Sequence, residues 1–321
     1  MQSSPVPLTL ASDEAFGGVR FRTDPGWVRV RRGVYAPRIA WEALSPWERY
    51  LARVHAVGAQ HPGVLFAFES AAALHGLPIF GEPRDVHLID DAGGKSRRYG
   101  DLVIHSTRRP PHAAALGTVW ATGIRDTALG LARVLPPAYG LGVVDAGLRR
   151  VGETAATWRT LTQGHLGQRG KRRMQWVLDR ATPRSESVGE SVSRAVIEWL
   201  GFPDPELQVV FSSPGFEDRV DFFWRSVRAI GESDGFGKYD RGDVDATTRA
   251  LVDEKRREDR LRRQVDGFAR WDWADTMRAD PLAAALRAAG LDTIRAPHRA
   301  ALATLRHHPR SWRHGETRPP V

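Results

Sequence analysis

Apolar and polar positions alternate at strand spacing in some parts of the chain and recur at helical spacing in others. Residues 27–35 alternate valine with arginine around Gly33, which predicts a basic β-hairpin or wing. An ordinary edge strand with solvated arginines explains the same pattern. Ser45, Pro46 and Glu48 form a capping box with proline at the first helical position, and this predicts a helix start.

The middle of the chain is a series of short strands and helices. Ser70 and Gly76 delimit a short predicted helix, with Ser70 as its cap. Short apolar runs predict strands over residues 64–68, 86–89, 102–105 and 118–121. Two later apolar runs, 126–135 and 138–150, and a basic segment over 168–181 predict helices. Residues 182–185, which include Pro183, interrupt the helical pattern, and this interruption predicts a domain boundary. We therefore expect an N-terminal region over residues 1–181, a second domain over 182–290 and a C-terminal tail over 291–321.

The second domain has the clearer element order. Its predicted elements are a helix over 187–200, strands over 207–211, 219–224 and 227–233, a charged helix over 249–265 and a strand over 268–273. This αβββαβ order predicts a mixed sheet with flanking helices. The fold class expected for the whole chain is therefore mixed α/β (α+β) in two domains.

Acidic residues lie at chemically informative places in this second domain. Asp221 is mid-strand between large apolar residues, where a carboxylate must be paired or bind a cation. Glu232 and Asp234 end the next strand two residues apart, so they share a face. Glu190, on the preceding helix, reaches the same sheet edge. Clustered oxygen ligands select Mg²⁺ or Mn²⁺, which can activate water and stabilise a phosphate under attack.

Lys238 follows Asp234 after two glycines and could hold a phosphate or orient the attacking water. The predicted catalytic residues are Glu190, Asp221, Glu232, Asp234 and Lys238, and the predicted metal ligands are Asp221, Glu232 and Glu190. The alternative is structural: Asp221 and Glu232 pair with nearby arginines, and Asp234 begins a turn.

Charge points to a polyanionic partner. The net charge of +9 comes entirely from residues 1–180, which contain 24 Lys or Arg and 15 Asp or Glu, while the remainder contains 23 of each. A basic domain is typical of proteins that bind a phosphate backbone. The predicted nucleic-acid contacts are Arg29, Arg31, Arg32, Lys171, Arg172, Arg173, Lys255 and Arg256. For the helix that carries the last two, a solvated face with internal ion pairs is the alternative.

Two further features restrict the class of protein. The chain has no cysteine, which excludes disulfides, thiolate zinc sites and cysteine nucleophiles and suits a reducing compartment. Its N-terminus has no signal-peptide pattern, and no apolar run has the length of a membrane span. We therefore expect a cytoplasmic protein without membrane association.

The second domain resembles the very-short-patch-repair-like branch of PD-(D/E)xK endonuclease-fold proteins. The matching positions are Glu190-Ser191, Gln208, Val220-Asp221-Phe222, Gly231 to Gly235, Lys238-Tyr239, Glu254 to Asp259 and Arg270 to Trp273. The resemblance implies a restriction-endonuclease-like fold in which Asp221 and Glu232 bind the metal and Glu190 is the helix acid. Asp234 replaces the signature lysine, and Lys238 is the candidate substitute.

The N-terminal region resembles actinobacterial proteins with an AbiEi-type antitoxin domain, the DNA-binding half of a type IV toxin–antitoxin pair. The matching segments are Arg31 to Tyr35, Ser70 to Leu77 and Thr122 to Ala128. The resemblance implies a winged-helix-like α+β region with a wing over residues 27–36. In that family a helix-turn-helix precedes the wing, whereas here only residues 1–26 precede it.

These observations predict a DNA-binding regulator of the antitoxin type that carries a metal-dependent endonuclease-like domain. The alternative is a non-catalytic repressor whose nuclease fold clamps DNA or forms a dimer. RNA is a third candidate partner. The candidate protein partners are a cognate toxin and a second copy of the chain.

Overall fold

A computed structural model describes most of the chain, namely residues 2–12, 20–90, 95–107, 111–162, 169–235, 244–306, 308 and 310–312, with the backbone alone for 244–251. Within these residues the fold is a mixture of twelve α-helices and three β-sheets, so the mixed α+β class is confirmed. The chain forms two compact units. Unit 1 comprises Met1–Leu135 with His308–Val321, and unit 2 comprises Pro136–His307. None of the described helices is long and apolar enough to cross a membrane.

Unit 1 begins with a small antiparallel sheet of strand order β1-β3-β2. Its elements are β1 (Thr9–Leu10), β2 (Trp27–Arg31), β3 (Val34–Pro37), α1 (Arg38–Glu42) and α2 (Pro46–Gln60). The predicted hairpin is confirmed, and Gly33 turns it with a φ of 79°, a left-handed conformation that glycine adopts without strain. The predicted capping box of α2 is also present, with Ser45 and Glu48 bonded reciprocally.

A six-stranded sheet forms the rest of unit 1, in the order β6-β7-β5-β4-β9-β8. Its elements are β4 (Leu65–Phe66), α3 (Phe68–His75), β5 (Val86–Asp90), β6 (Arg97–Tyr99), β7 (Leu102–Ser106), β8 (Ala113–Leu116), β9 (Val119–Thr122) and α4 (Ile124–Val134). The expected Ser70 cap is wrong, because Ala67 is the N-cap of α3. Ser70 is buried within the helix, where its Oγ accepts a hydrogen bond from the His87 N–H and lies 2.8 Å from the Tyr50 hydroxyl.

Unit 2 contains the predicted αβββαβ order. Its elements are α5 (Pro137–Val151), α6 (Ala155–Thr162), α7 (Lys171–Arg180), α8 (Val188–Leu200), β10 (Glu206–Ser213), β11 (Phe216–Trp224), β12 (Ala229–Ser233), α9 (Val244–Arg262), β13 (Gly267–Trp271), α10 (Trp273–Arg278), α11 (Asp280–Ala288) and α12 (Arg299–Ala303). The sheet order is β10-β11-β12-β13. Strands β12 and β13 are parallel, and the other pairs are antiparallel.

The boundary between the units differs from the expected one at residue 181, since α5, α6 and α7 belong to unit 2. A buried carboxylate explains the difference. Asp145 on α5 is fully buried and accepts hydrogen bonds from the Thr182 N–H at 2.8 Å and from Arg194 on α8 at 3.0 Å. This ion pair ties α5 to the elements that follow residue 181. The expected tail is divided as well, because α12 lies in unit 2 and residues 310–312 lie in unit 1.

Candidate active site

Two neighbouring strands of unit 2 bring a pair of carboxylates together. Strands β11 and β12 are antiparallel partners with Phe222 opposite Gly231, so Asp221 and Glu232 follow directly at the end of this ladder. The Ser233 N–H donates a hydrogen bond to Asp221 Oδ2 at 2.9 Å. The predicted adjacency of Asp221 and Glu232 is therefore confirmed.

A third carboxylate comes from the first turn of α8. Ser187 is the N-cap of this helix, and its Oγ accepts a hydrogen bond from the Glu190 N–H at 3.1 Å. The Glu190 side chain is buried, and its Oε2 accepts hydrogen bonds from the Glu186 N–H at 2.8 Å and from Gln208 Nε2 at 2.9 Å. Burial, and then the negative charge of Asp221, raise the pKa of Glu190 above its ordinary value.

Glu232 is the most strongly perturbed acid of this group. Its side chain is buried, and this burial, with repulsion from Asp221, raises the pKa of Glu232 to about 7. The Arg257 guanidinium, 3.0 Å from Glu232 Oε1, opposes the rise but does not cancel it. At neutral pH, Glu232 therefore holds a proton for much of the time unless another cation approaches. Such a group is typical of functional sites.

Helix α9 presents Arg257 to this cluster. The Arg257 guanidinium also donates a hydrogen bond to the Arg219 carbonyl oxygen at 2.6 Å, which fixes it over β11. The predicted contacts Lys255 and Arg256 are exposed instead. The sequence reasoning missed Arg257, although its helical spacing of four residues from the fully buried Leu261 marks the inward face.

Asp234 has a cationic partner of its own. Arg270 on β13 contacts both carboxylate oxygens, at 2.6 and 2.8 Å, and also pairs with Glu254 and Glu258 on α9. The sequence analysis did not foresee this bidentate pair, since its structural alternative for Asp234 was a turn. Lys238, the predicted substitute for the missing lysine, lies outside the described residues.

Gln208 is a second functional candidate that the sequence reasoning left without a role. Leu207 pairs with Phe222 and Val209 with Val220, so Gln208 lies across from Asp221. Its φ of 56° is left-handed, which costs about 1–3 kcal/mol for a residue with a side chain. This conformation accompanies the hydrogen bond from Gln208 to Glu190.

The donor set agrees in part with the predicted metal ion. Asp221, Glu232 and Glu190 offer oxygen only, which suits Mg²⁺ or Mn²⁺. A cation would offset both the burial and the repulsion that raise the pKa values of Glu190 and Glu232. Among the described residues, however, no three acidic or histidine side chains converge closely enough to hold a metal ion. The carboxylates therefore match the cation in charge and chemistry but do not form a closed ligand set.

The predicted nucleic-acid contacts differ in their surroundings. On the hairpin of unit 1, Arg29 and Arg32 are exposed, whereas Arg31 forms an ion pair with Asp101 and is largely buried. In unit 2, exposed basic residues begin α7 and line a surface cavity of about 620 Å³, namely Lys171, Arg172 and Arg173. Arg31 therefore pairs with Asp101 within the protein, while the side chains of the other residues are exposed.

No family model matches the sequence, and no curated protein or solved structure is significantly similar to it. The resemblances to the antitoxin and endonuclease families therefore rest on their motifs and remain expectations. Function has to be inferred from the geometry of the site.

Proposed function

We propose that this chain is a DNA-binding regulator of the type IV antitoxin type whose unit 2 hydrolyses phosphodiester bonds with Mg²⁺ or Mn²⁺. The observation that supports the hydrolytic part is the coupling of the carboxylates. Asp221 and Glu232 lie on adjacent strands, and burial followed by the negative charge of Asp221 raises the pKa of both Glu232 and Glu190. Such repulsion destabilises the folded protein, and buried acids held together despite this cost are typical of functional sites.

In this proposal Asp221 and Glu232 hold the cation, and Glu190 completes the set from α8. The bound ion would activate a water molecule and stabilise the charge that develops on the phosphate. Gln208 orients Glu190 through its hydrogen bond at 2.9 Å. Arg257 keeps Glu232 close to β11 and adds a positive charge where a phosphate would approach.

The DNA-binding part of the proposal rests on charge. The exposed Arg29 and Arg32 of the hairpin, and the basic start of α7, would contact backbone phosphates. Lys255 and Arg256 would do the same from the exposed side of α9. A cytoplasmic location and a cognate toxin belong to the same proposal, and both stay predictions.

The second candidate function is a repressor without catalysis, in which the nuclease-like unit clamps DNA or forms a dimer. One observation favours it. Arg257 pairs with Glu232 and Arg270 pairs with Asp234, so two of the predicted catalytic acids already have a cationic partner within the protein. A site that serves only packing would need these ion pairs and no metal ion.

Plasmid cleavage separates the two candidates. Purified protein is incubated with supercoiled plasmid in Mg²⁺, Mn²⁺ or EDTA, beside the variants Asp221→Ala and Glu232→Ala. Glu206→Ala is the matched control, because Glu206 is an exposed carboxylate on β10 that pairs with Arg225 and lies outside the carboxylate cluster. Cleavage that requires the ion, and is lost in the two site variants but not in the control, supports hydrolysis. Salt-sensitive DNA binding without cleavage in any sample supports the repressor.

A further inference from the structure

The last described residues of the chain bind to unit 1 as a short peptide would. The Arg84 N–H donates a hydrogen bond to the Arg310 carbonyl oxygen at 3.0 Å, and the Trp312 N–H donates one to the Glu82 carbonyl oxygen at 2.9 Å. Between them, Ser311 forms an antiparallel bridge with Pro83. Residues 310–312, the C-terminal segment, thus add to a loop of unit 1 by main-chain pairing, a common mode of peptide recognition.

The side chain of Arg310 occupies a buried pocket. Its Nε and Nη2 donate hydrogen bonds to the two carboxylate oxygens of Glu69 on α3, and the distance from Nη2 to Oε2 is 2.6 Å. Glu69 itself is only 3% exposed. The Arg310 guanidinium also donates to His87 Nε2 at 2.8 Å and lies 5.4 Å from the centre of the Phe68 ring. A carboxylate fork, a neutral acceptor and an aromatic face together define a site for guanidinium.

The pocket is arranged to accept an arginine. Burial lowers the pKa of His87 to about 3, so its ring is neutral, and since arginine can only donate, Nε2 must accept. The His87 Nδ1–H is then directed to His105 Nε2, 3.0 Å away. Phe68, at the start of α3, has a φ of 49°, an unfavourable conformation for a residue with a side chain. A neutral His87 that accepts at Nε2 therefore complements the guanidinium, whereas a protonated ring could not accept its hydrogen bond.

The two following residues are also recognised individually. Ser311 Oγ accepts a hydrogen bond from the Glu82 N–H at 2.8 Å and donates one to the Glu82 carbonyl oxygen at 3.0 Å. Gly81 makes room for it, because a Cβ there would lie 2.3 Å from Ser311 Oγ. The Arg84 guanidinium lies 5.0 Å from the centre of the Trp312 ring. Three consecutive side chains thus have dedicated partners, which incidental packing of a chain end does not require.

We propose that unit 1 contains a peptide-binding site for the sequence Arg-Ser-aromatic, which the chain's own C-terminal segment occupies and an arginine-bearing peptide of the same chemistry can take over. The covalent connection gives the C-terminal segment a high effective concentration, so a free peptide has to compete with it. The segment is short, and its exchange requires only the contacts of three residues to break. The site is independent of the proposed hydrolytic centre in unit 2.

Chemical rescue tests the guanidinium pocket in the full-length protein. Arg310→Ala is expected to lower the thermal midpoint of unit 1, and millimolar methylguanidinium to restore roughly 2–4 °C of it. The same compound should leave the wild type and the double variant Glu69→Gln, Arg310→Ala unchanged. Arg306→Ala, which removes an exposed arginine close by in sequence, is the matched control and should behave as the wild type. An unaltered midpoint in Arg310→Ala, or an equal shift in all variants, would overturn the proposal.

Amide hydrogen exchange tests whether an added peptide displaces the C-terminal segment. The measurement uses the wild-type protein, so no variant has to fold. An acetylated Arg-Ser-Trp amide in excess is expected to speed exchange of the Trp312 N–H, which the displaced segment carries. The Arg84 N–H should stay protected, because the added peptide replaces its acceptor. A Lys-Ser-Trp peptide should require a roughly tenfold or higher concentration, since ammonium cannot form the bidentate pair. Unchanged exchange at Trp312, or equal effects of both peptides, contradicts the proposed site.

Discussion

Replacing Glu232 with glutamine is expected to stabilise unit 2 at alkaline pH and to remove its response to a divalent cation. The side chain is 6% exposed, and burial with repulsion from Asp221 raises the pKa of Glu232 to about 7 from an ordinary value of 4.5. One pKa unit corresponds to about 1.4 kcal/mol, so ionising Glu232 in the folded protein costs about 3 kcal/mol. Glutamine keeps the shape and removes the charge.

The pH dependence follows from the direction of this shift. Because the pKa of Glu232 is raised in the folded state, its contribution to stability is greatest below pH 4.5 and is lost as the pH rises to about 7. The advantage of Glu232→Gln should therefore be near zero at pH 4.5, grow between pH 4.5 and 7, and reach a plateau of about 2–3 kcal/mol at pH 8. For a unit of this size, that is a rise of roughly 4–10 °C in the thermal midpoint.

Calorimetry in EDTA at several pH values measures the difference in thermal midpoint between the wild type and Glu232→Gln. The contributions of all other titrating groups cancel in this difference. Repeating the scans with Mg²⁺ or Mn²⁺ should raise the midpoint of the wild type alone, because a ligand stabilises only the protein that binds it. A variant that is less stable than the wild type at pH 8, or a difference that does not change with pH, would refute the reasoning. In that case the ion pair with Arg257 outweighs the repulsion from Asp221, and Glu232 is a structural acid.

Two further predictions concern stability. Arg194→Met leaves the fully buried Asp145 without its ion-pair partner and should destabilise unit 2 by about 3 kcal/mol. The loss of stability should be smaller at pH 5 than at pH 8. The pKa of Asp145, already raised to about 6, would rise further without Arg194, so that at pH 5 the carboxyl group is neutral. Urea unfolding at both pH values measures the difference. Ser45→Ala removes the capping box that Ser45 forms with Glu48 and should cost unit 1 about 1 kcal/mol, while Ser45→Asp should retain most of the stability in the same assay.

Local patterns in the sequence determined much of the secondary structure. The capping box of α2, the hairpin turn at Gly33 and the αβββαβ order of unit 2 follow from neighbouring residues, because hydrogen bonds at a helix start and the periods of helix and strand are local properties. The adjacency of Asp221 and Glu232 was predictable for the same reason, since a short connection between strands makes them partners.

Only the tertiary structure decided which charged side chains meet. On α9 the sequence offers Lys255, Arg256 and Arg257 in succession, and the buried Leu261 selects Arg257 to face Glu232. Asp145 decides that the helices before residue 181 belong to unit 2, through a partner 49 residues away. Both outcomes depend on how buried charges find compensation across the fold, which no local pattern encodes.

The C-terminal segment shows the same limit most clearly. Arg310 lies in a polar stretch that resembles a loose chain end, yet it pairs with Glu69, 241 residues earlier, in the interior of unit 1. The sequence determined only that Glu69 and Arg310 would each carry a charge, because the predicted helix began after Glu69, at the expected Ser70 cap. The fold alone determined that a buried carboxylate lacks solvent and must be satisfied by a guanidinium from the other end of the chain.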